Sequence, residues 1–247
     1  MQVIGGKKVK GRVLVLWTIG TIFFGWQMSG LLSAEQPMDV KEFVRRIFIE
    51  GVPYEEARKY GPTDVPTLLK MLADPKEEAY RTNIVVTLGI IGDERAVDPL
   101  IAFLGQDVKG TLSHSEYTAK SSVLMALGYL INKSGSKKAL TYLRDSSDPA
   151  VWAKRKVNWA SPYHASMDDR NVQLSTMAIL GLALSGHPSA AEALRSLQKP
   201  PRTKAAEKFQ AQVSQVVTEA LKAHEMIAKQ GLAEYYRKQG LEMRKGG

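Results

Sequence analysis

The sequence predicts an all-α protein, a right-handed α-solenoid of stacked helical hairpins. Three observations point there. Leu and Ala are frequent, while the strand-favouring alternation of Val, Ile and Thr is nearly absent. A Leu-Gly pair recurs in three places near the end of a helical pattern, each time followed by a turn and a second amphipathic pattern. A composition of 44% hydrophobic and 24% charged residues fits a folded chain and not a disordered one.

The first element is an address. Lys7, Lys8, Lys10 and Arg12 precede Val13 to Trp26, fourteen residues without a formal charge. Leu32-Ser33-Ala34 then offers a signal-peptidase exit before Glu35. Residues 1–34 therefore predict a signal peptide. The uncharged run reaches Ala34, about twenty residues, so an N-terminal membrane anchor is the alternative. In both cases the basic end stays inside. The expected location of the rest is extracytoplasmic: periplasmic, secreted, or membrane-tethered and facing outward.

Residues 35–61 predict an N-terminal helical cap, with one or two short helices over 39–60. Terminal repeats need a polar outer face, so atypical ends are expected. Residues 62–230 predict the repeat domain. Val65, Leu68, Leu69 and Leu72 form a stripe before Asp74-Pro75, a cap followed by Pro at the first helical position, with Glu77 and Glu78 in the first turn. Ile84, Val85, Leu88 and Ile91 make the next stripe. Gly92 supplies a left-handed exit, Asp93 caps the following helix, and that helix places Ala96, Val97, Leu100, Ile101 and Leu104 on one face.

The repeated segments are TLGIIGDERAVDPLIAFL at 87–104, ALGYLINKSGSKKALTYL at 126–143 and ILGLALSGHPSAAEALRSL at 179–197. Their glycines, Gly89, Gly128 and Gly181, are spaced by 39 and then 53 residues. Glycine inside a helix costs about 1 kcal/mol against Ala. Its recurrence predicts that the two helices of a repeat come close there. The longer second spacing marks an insertion at 145–170. Phe209, Val213, Val216, Val217, Ala220 and Leu221 give a last stripe that closes near Gly231, leaving 231–247 as a C-terminal tail.

The segment LGIIGDERAVDPLIAFL resembles HEAT repeats of the type also found in phycobilin-lyase-like proteins. The resemblance covers roughly residues 62–230 and is best at 77–104. It implies a solenoid of HEAT-like helical hairpins. Members of that group act mostly as scaffolds or adaptors, and lyase activity belongs to a subset. The fold carries over to this chain; no catalytic residue does.

The formal charge of +9 is unevenly spread. Residues 35–107 hold nine basic and fourteen acidic side chains, a net of −5, whereas 108–247 hold twenty-one and eleven, a net of +10. The chain has no cysteine, which excludes disulfides, thiolate metal sites and cysteine nucleophiles. None of GxSxG, GxxxxGK[ST], GxGxxG before a helix, or HExxH occurs. No cofactor, metal or catalytic residue is assigned. His164 with Asp168 and Asp169 is the one grouping of metal-ligating types, and the two aspartates read better as caps of the helix near Arg170. His224 continues the Phe209 stripe as a core or boundary histidine, and His187-Pro188 reads as a turn into a helix. Asn132 heads a glycosylation sequon, or ends its helix in the left-handed region.

The candidate partner-binding residues lie in the insertion: Trp152, Lys154, Arg155, Lys156, Trp159 and Tyr163. Both tryptophans outside residues 1–34 are there, beside a basic cluster. Trp and Arg are favoured at binding hot spots. The competing reading is that the loop folds back and its tryptophans cap the solenoid core. The expected function is an exported, non-catalytic scaffold that binds a protein or peptide, an acidic one if the basic insertion is the contact. Nucleic acid is a poor partner for an exported chain, and membrane contact requires residues 1–34 to be retained. The alternatives are an enzyme with a site on the concave face and a structural envelope protein held by its N-terminal helix.

Overall fold

The computed structural model describes residues 38–155, 157–200 and 203–245. Residues 1–34 and Lys156 lie outside the described residues. Eleven α-helices are described: α1 Val40–Val44, α2 Tyr54–Ala57, α3 Val65–Ala73, α4 Arg81–Ile91, α5 Val97–Gly105, α6 His114–Ser134, α7 Lys137–Ser146, α8 Pro149–Lys154, α9 Met167–Ser185, α10 Pro188–Ser196 and α11 Lys204–Lys245. Among the described residues there is no strand, only a single bridge between Thr111 and Ala160. None of the described helices is long and apolar enough to cross a membrane.

Local chemistry sets the helix ends. Asp74 accepts a hydrogen bond from the Lys76 amide, 2.9 Å, and Pro75 opens a 3₁₀ turn, Pro75–Tyr80, that feeds α4. Gly92 leaves α4 with φ 73°, and Asp93 accepts from the Arg95 amide at 2.9 Å. Ser166, and not the aspartates after it, caps α9: its hydroxyl accepts from the Asp169 amide and donates to the Asp169 carboxylate. His187 caps α10 with Pro188 behind it. His224 is buried, its Nε2 2.9 Å from the His187 carbonyl.

The hairpins α4–α5, α6–α7 and α9–α10 stack so that α4, α6 and α9 form one continuous inner layer. The repeated glycines explain how closely. A Cβ on Gly89 of α4 would lie 2.5 Å from the Ala126 carbonyl oxygen of α6. One on Gly128 would lie 2.9 Å from the Gly181 Cα of α9, and one on Gly181 would collide with the Leu124 carbonyl of α6. The close approach therefore joins inner helices of successive repeats, a correction to the expectation that it joins the two helices of one repeat. The two helices of a hairpin are held instead by apolar side chains such as Leu88, Leu100 and Leu104, all fully buried.

A polar layer accompanies this seam. Arg81 of α4 donates to Glu116 of α6 at 2.7 Å, and Lys120 lies 3.8 Å from the same carboxylate. Lys120 is fully buried, donates to the Phe103 carbonyl at the end of α5, and sits 4.4 Å from the Phe103 ring centroid. Burial holds its ammonium pKa down at about 8. Asn132 does not occupy the left-handed exit of α6; Gly135 does, with φ 70°. The Asn132 amide instead donates to the Ser185 carbonyl at the end of α9, 3.1 Å away.

The final helix departs from its expected course. α11 breaks at Gly231, with φ 81° and ψ 165°, and resumes as a helix to Lys245. Residues 232–245, within the expected C-terminal tail, are therefore helical. Leu232 is buried, and residues of the limb from 233 to 240 line the concave side of the inner layer.

Candidate functional site

The insertion places its tryptophans inside. Trp152 on α8 is fully buried, and its indole N–H donates to the Ser146 carbonyl at 2.9 Å. Trp159 is also fully buried and donates to the Leu104 carbonyl at 3.0 Å, which satisfies an end of α5. Beneath it lies Arg170 of α9, 2% exposed, its guanidinium 4.9 Å from the Trp159 ring and bonded to Asn171 Oδ1 and the Trp159 carbonyl. Arg155 lies over the Tyr142 ring at 4.0 Å and bonds Ser146 Oγ. Of the six sequence candidates, Trp152 and Trp159 thus expose no surface and Arg155 is committed within the fold. Lys154 is exposed, and Tyr163 is 57% exposed with its ring edge-on to Tyr117 and His114. For the tryptophans the structure favours the capping reading over the contact platform. The reason is packing: the 157–160 segment lies against the α5–α6 connection through the Thr111–Ala160 bridge, and large aromatic faces fill the gap.

A broad concavity lies over the inner layer. It has a volume of about 1390 Å³. Its floor comes from one side chain or more of each inner helix: Val86 of α4, Met125 and Tyr129 of α6, Leu180 and Leu184 of α9. Ala220 and Ala223 of α11 form the wall at one end, and the 50–55 segment around α2 forms the other. The seam glycines set this geometry, because bringing the inner backbones together turns the side chains beside them into one curved surface.

Tyrosines define its chemistry. Tyr236, on the limb of α11 beyond Gly231, hydrogen-bonds the Tyr129 hydroxyl and stacks on Tyr54 with centroids 5.3 Å apart. Tyr235 lies edge-on beside it. Burial raises the pKa of Tyr54, Tyr129, Tyr235 and Tyr236 above the ordinary phenol value, so all four hydroxyls stay protonated at neutral pH. Protonated phenols stack and exchange hydrogen bonds. The acidic groups along the groove are Glu50, Glu55, Glu219 and Glu234, and the one basic side chain among the lining residues is Arg237 of the limb. Arg237 pairs with Glu234 and holds that carboxyl below its usual range.

Sequence reasoning missed this groove. Tyr129 follows Gly128 directly and reads as part of the repeat core, and the Phe209 stripe reads as ending at Gly231. The signal was a resumed helical spacing beyond that glycine, with Leu232, Tyr235, Tyr236 and Gln239 on one side. Among the described residues no group of three or more ligating side chains is placed to hold a metal ion. His164 turns to Ser161 Oγ, 2.7 Å away, and Asp169 to Ser166.

The family model for the PBS lyase HEAT-like repeat matches residues 80–106. No curated protein and no solved structure matches the chain. The matched span contains α4 and α5 whole, the hairpin whose Gly89 opens the inner seam. That hairpin is a HEAT-like repeat, and with the hairpins stacked behind it the chain is a HEAT-like repeat protein.

Proposed function

We propose that the protein is an exported, non-catalytic scaffold that binds a protein or peptide segment through its concave face. The groove over α4, α6 and α9 carries this reading: it is continuous across three hairpins, apolar along its floor and rimmed by polar groups. Extended concave surfaces of solenoids serve in this way. The tyrosines offer ring faces and hydroxyls for stacking and hydrogen bonding with a partner, which supports recognition on this face. Export rests on residues 1–34, and intact mass of the native protein distinguishes a cleaved signal from a retained anchor or envelope tether.

The insertion retains Lys154 and Tyr163 as exposed groups, the surface to which an acidic partner was assigned. With both tryptophans interior, the groove takes precedence. The test is co-purification from the native source with parent, Met125→Glu and Lys154→Glu/Tyr163→Ala chains. A charge in the apolar floor should remove the captured protein, and the insertion variant should retain it. Loss with the insertion variant alone would reverse the assignment.

A further inference from the structure

The groove already holds a helix. At Gly231 the backbone takes a conformation that only glycine adopts readily, and residues from 233 to 240 then line the concavity. The hold is aromatic and narrow. Tyr236 reaches Tyr129 through its hydroxyl and Tyr54 through its ring, while Leu232 is the one buried residue between 232 and 240. A limb with so few buried apolar contacts belongs to the low-stability end of a fold, where local opening is easiest.

Charge adds direction. Residues 232–245 carry Arg237, Lys238, Arg244 and Lys245 against Glu234 and Glu242, a net of +2. The groove that Arg237 lines also carries Glu50, Glu55 and Glu219, and no lysine or arginine outside the limb lines it. Glu55 and Glu219 share their charge with Arg58 and Lys222, yet the rim remains a place that favours a cation over an anion.

We propose that the groove recognises a basic amphipathic helix bearing adjacent aromatic residues, and that residues 232–245 are its resident, displaceable occupant. This rests on the concave-face reading above and names the class of partner for that face. A partner helix enters in competition with the limb, its aromatic pair replacing Tyr235 and Tyr236 against Tyr54 and Tyr129. The free protein is thereby kept from weak, indiscriminate helix binding, because a ligand must outcompete a tethered copy whose local concentration is high.

The experiment uses the full chain and a fluorescein-labelled synthetic peptide of sequence 232–245. Anisotropy titrations compare the parent, Tyr236→Ala, and Tyr236→Ala combined with Met125→Glu; Tyr236→Phe, which loses only the hydroxyl, serves should the alanine variant fold poorly. Loosening the resident limb should raise peptide affinity by about 30-fold over the parent, the size of a typical aromatic hot spot. The added Met125→Glu should abolish that gain, and a peptide with Arg237→Glu and Lys238→Glu should bind more weakly at low salt. Equal binding to parent and loosened chains, or binding to none of them, overturns the proposal. If the peptide behaves as expected but the co-purified partner still binds the Met125→Glu chain, the limb is a resident of the groove and the concave-face reading fails on its own.

Discussion

Gly128 of α6 and Gly181 of α9 meet backbone to backbone: a Cβ on Gly128 would stand 2.9 Å from the Gly181 Cα. Gly89 meets Ala126 in the same way one repeat earlier. The recurring Leu-Gly pair is thus the device that fixes spacing between repeats, and the curvature of the groove follows from it.

The first prediction concerns that seam. Gly128→Ala gains about 1 kcal/mol of helix propensity but forces the α6 and α9 backbones apart, at a typical overpacking cost of about 1–3 kcal/mol. Its urea midpoint should fall or at best stay level. Gly105→Ala, at the end of α5 with nothing within 4 Å, should be neutral or stabilising. If the two substitutions behave alike, the seam is not close-packed.

A second prediction separates the two sides of the insertion. Trp159→Ala removes a fully buried side chain and should cost about 3–5 kcal/mol of stability. Trp159→Phe, which leaves the Leu104 carbonyl without its donor, should cost about 1–3 kcal/mol. Tyr163→Ala, at an exposed position, should stay within about 0.5 kcal/mol of the parent. Denaturant melts of the three variants decide between a structural and a free insertion.

The pH dependence has a definite sign. Lys120 in the fold releases its proton at about 8, while in the unfolded chain it titrates near its ordinary value of 10.5. Between those values the unfolded state binds more protons, so stability rises with pH there, by at most roughly 3 kcal/mol. Above pH of about 10 the trend reverses, because unfolded tyrosines ionise while Tyr129 and Tyr236 are held protonated by burial. Urea midpoints from pH 7 to 11 should therefore pass through a maximum near 10, and Lys120→Met should flatten the rising limb. A rise of equal size in the Lys120→Met chain would remove the buried lysine as its cause.

A fourth prediction concerns the turn into the groove. Any side chain at Gly231 faces strain of about 1–3 kcal/mol at φ 81° and ψ 165°. Gly231→Ala should speed amide exchange over 232–240 while leaving α4, α6 and α9 protected. Unchanged exchange in the limb would mean that it is not held by that turn.

The solenoid was legible in the sequence because its causes are local: caps such as Asp93, exits such as Gly92, and stripes such as Leu100 to Leu104 repeat in register. What the glycines touch was not legible. Periodicity says that Gly89 lies on a helix face, whereas the identity of the neighbour, Ala126 of the next repeat, is a property of stacking. The tryptophans stayed open between two readings for a related reason, since an aromatic beside lysines reads equally well as an anchor or as a plug. Ser146 and Leu104 decide it by supplying carbonyls inside the fold. The groove was hidden because Tyr129 and Tyr236 are 107 residues apart in the chain.

Hydrogen–deuterium exchange on the full chain, with and without the protein that co-purifies with it, tests the concave-face account most directly. Binding should slow exchange across α4, the 122–129 stretch of α6 and the 180–184 stretch of α9, and speed it over 232–240 as the resident limb is displaced. Protection confined to residues 150–166, with the groove and the limb unchanged, would contradict the account.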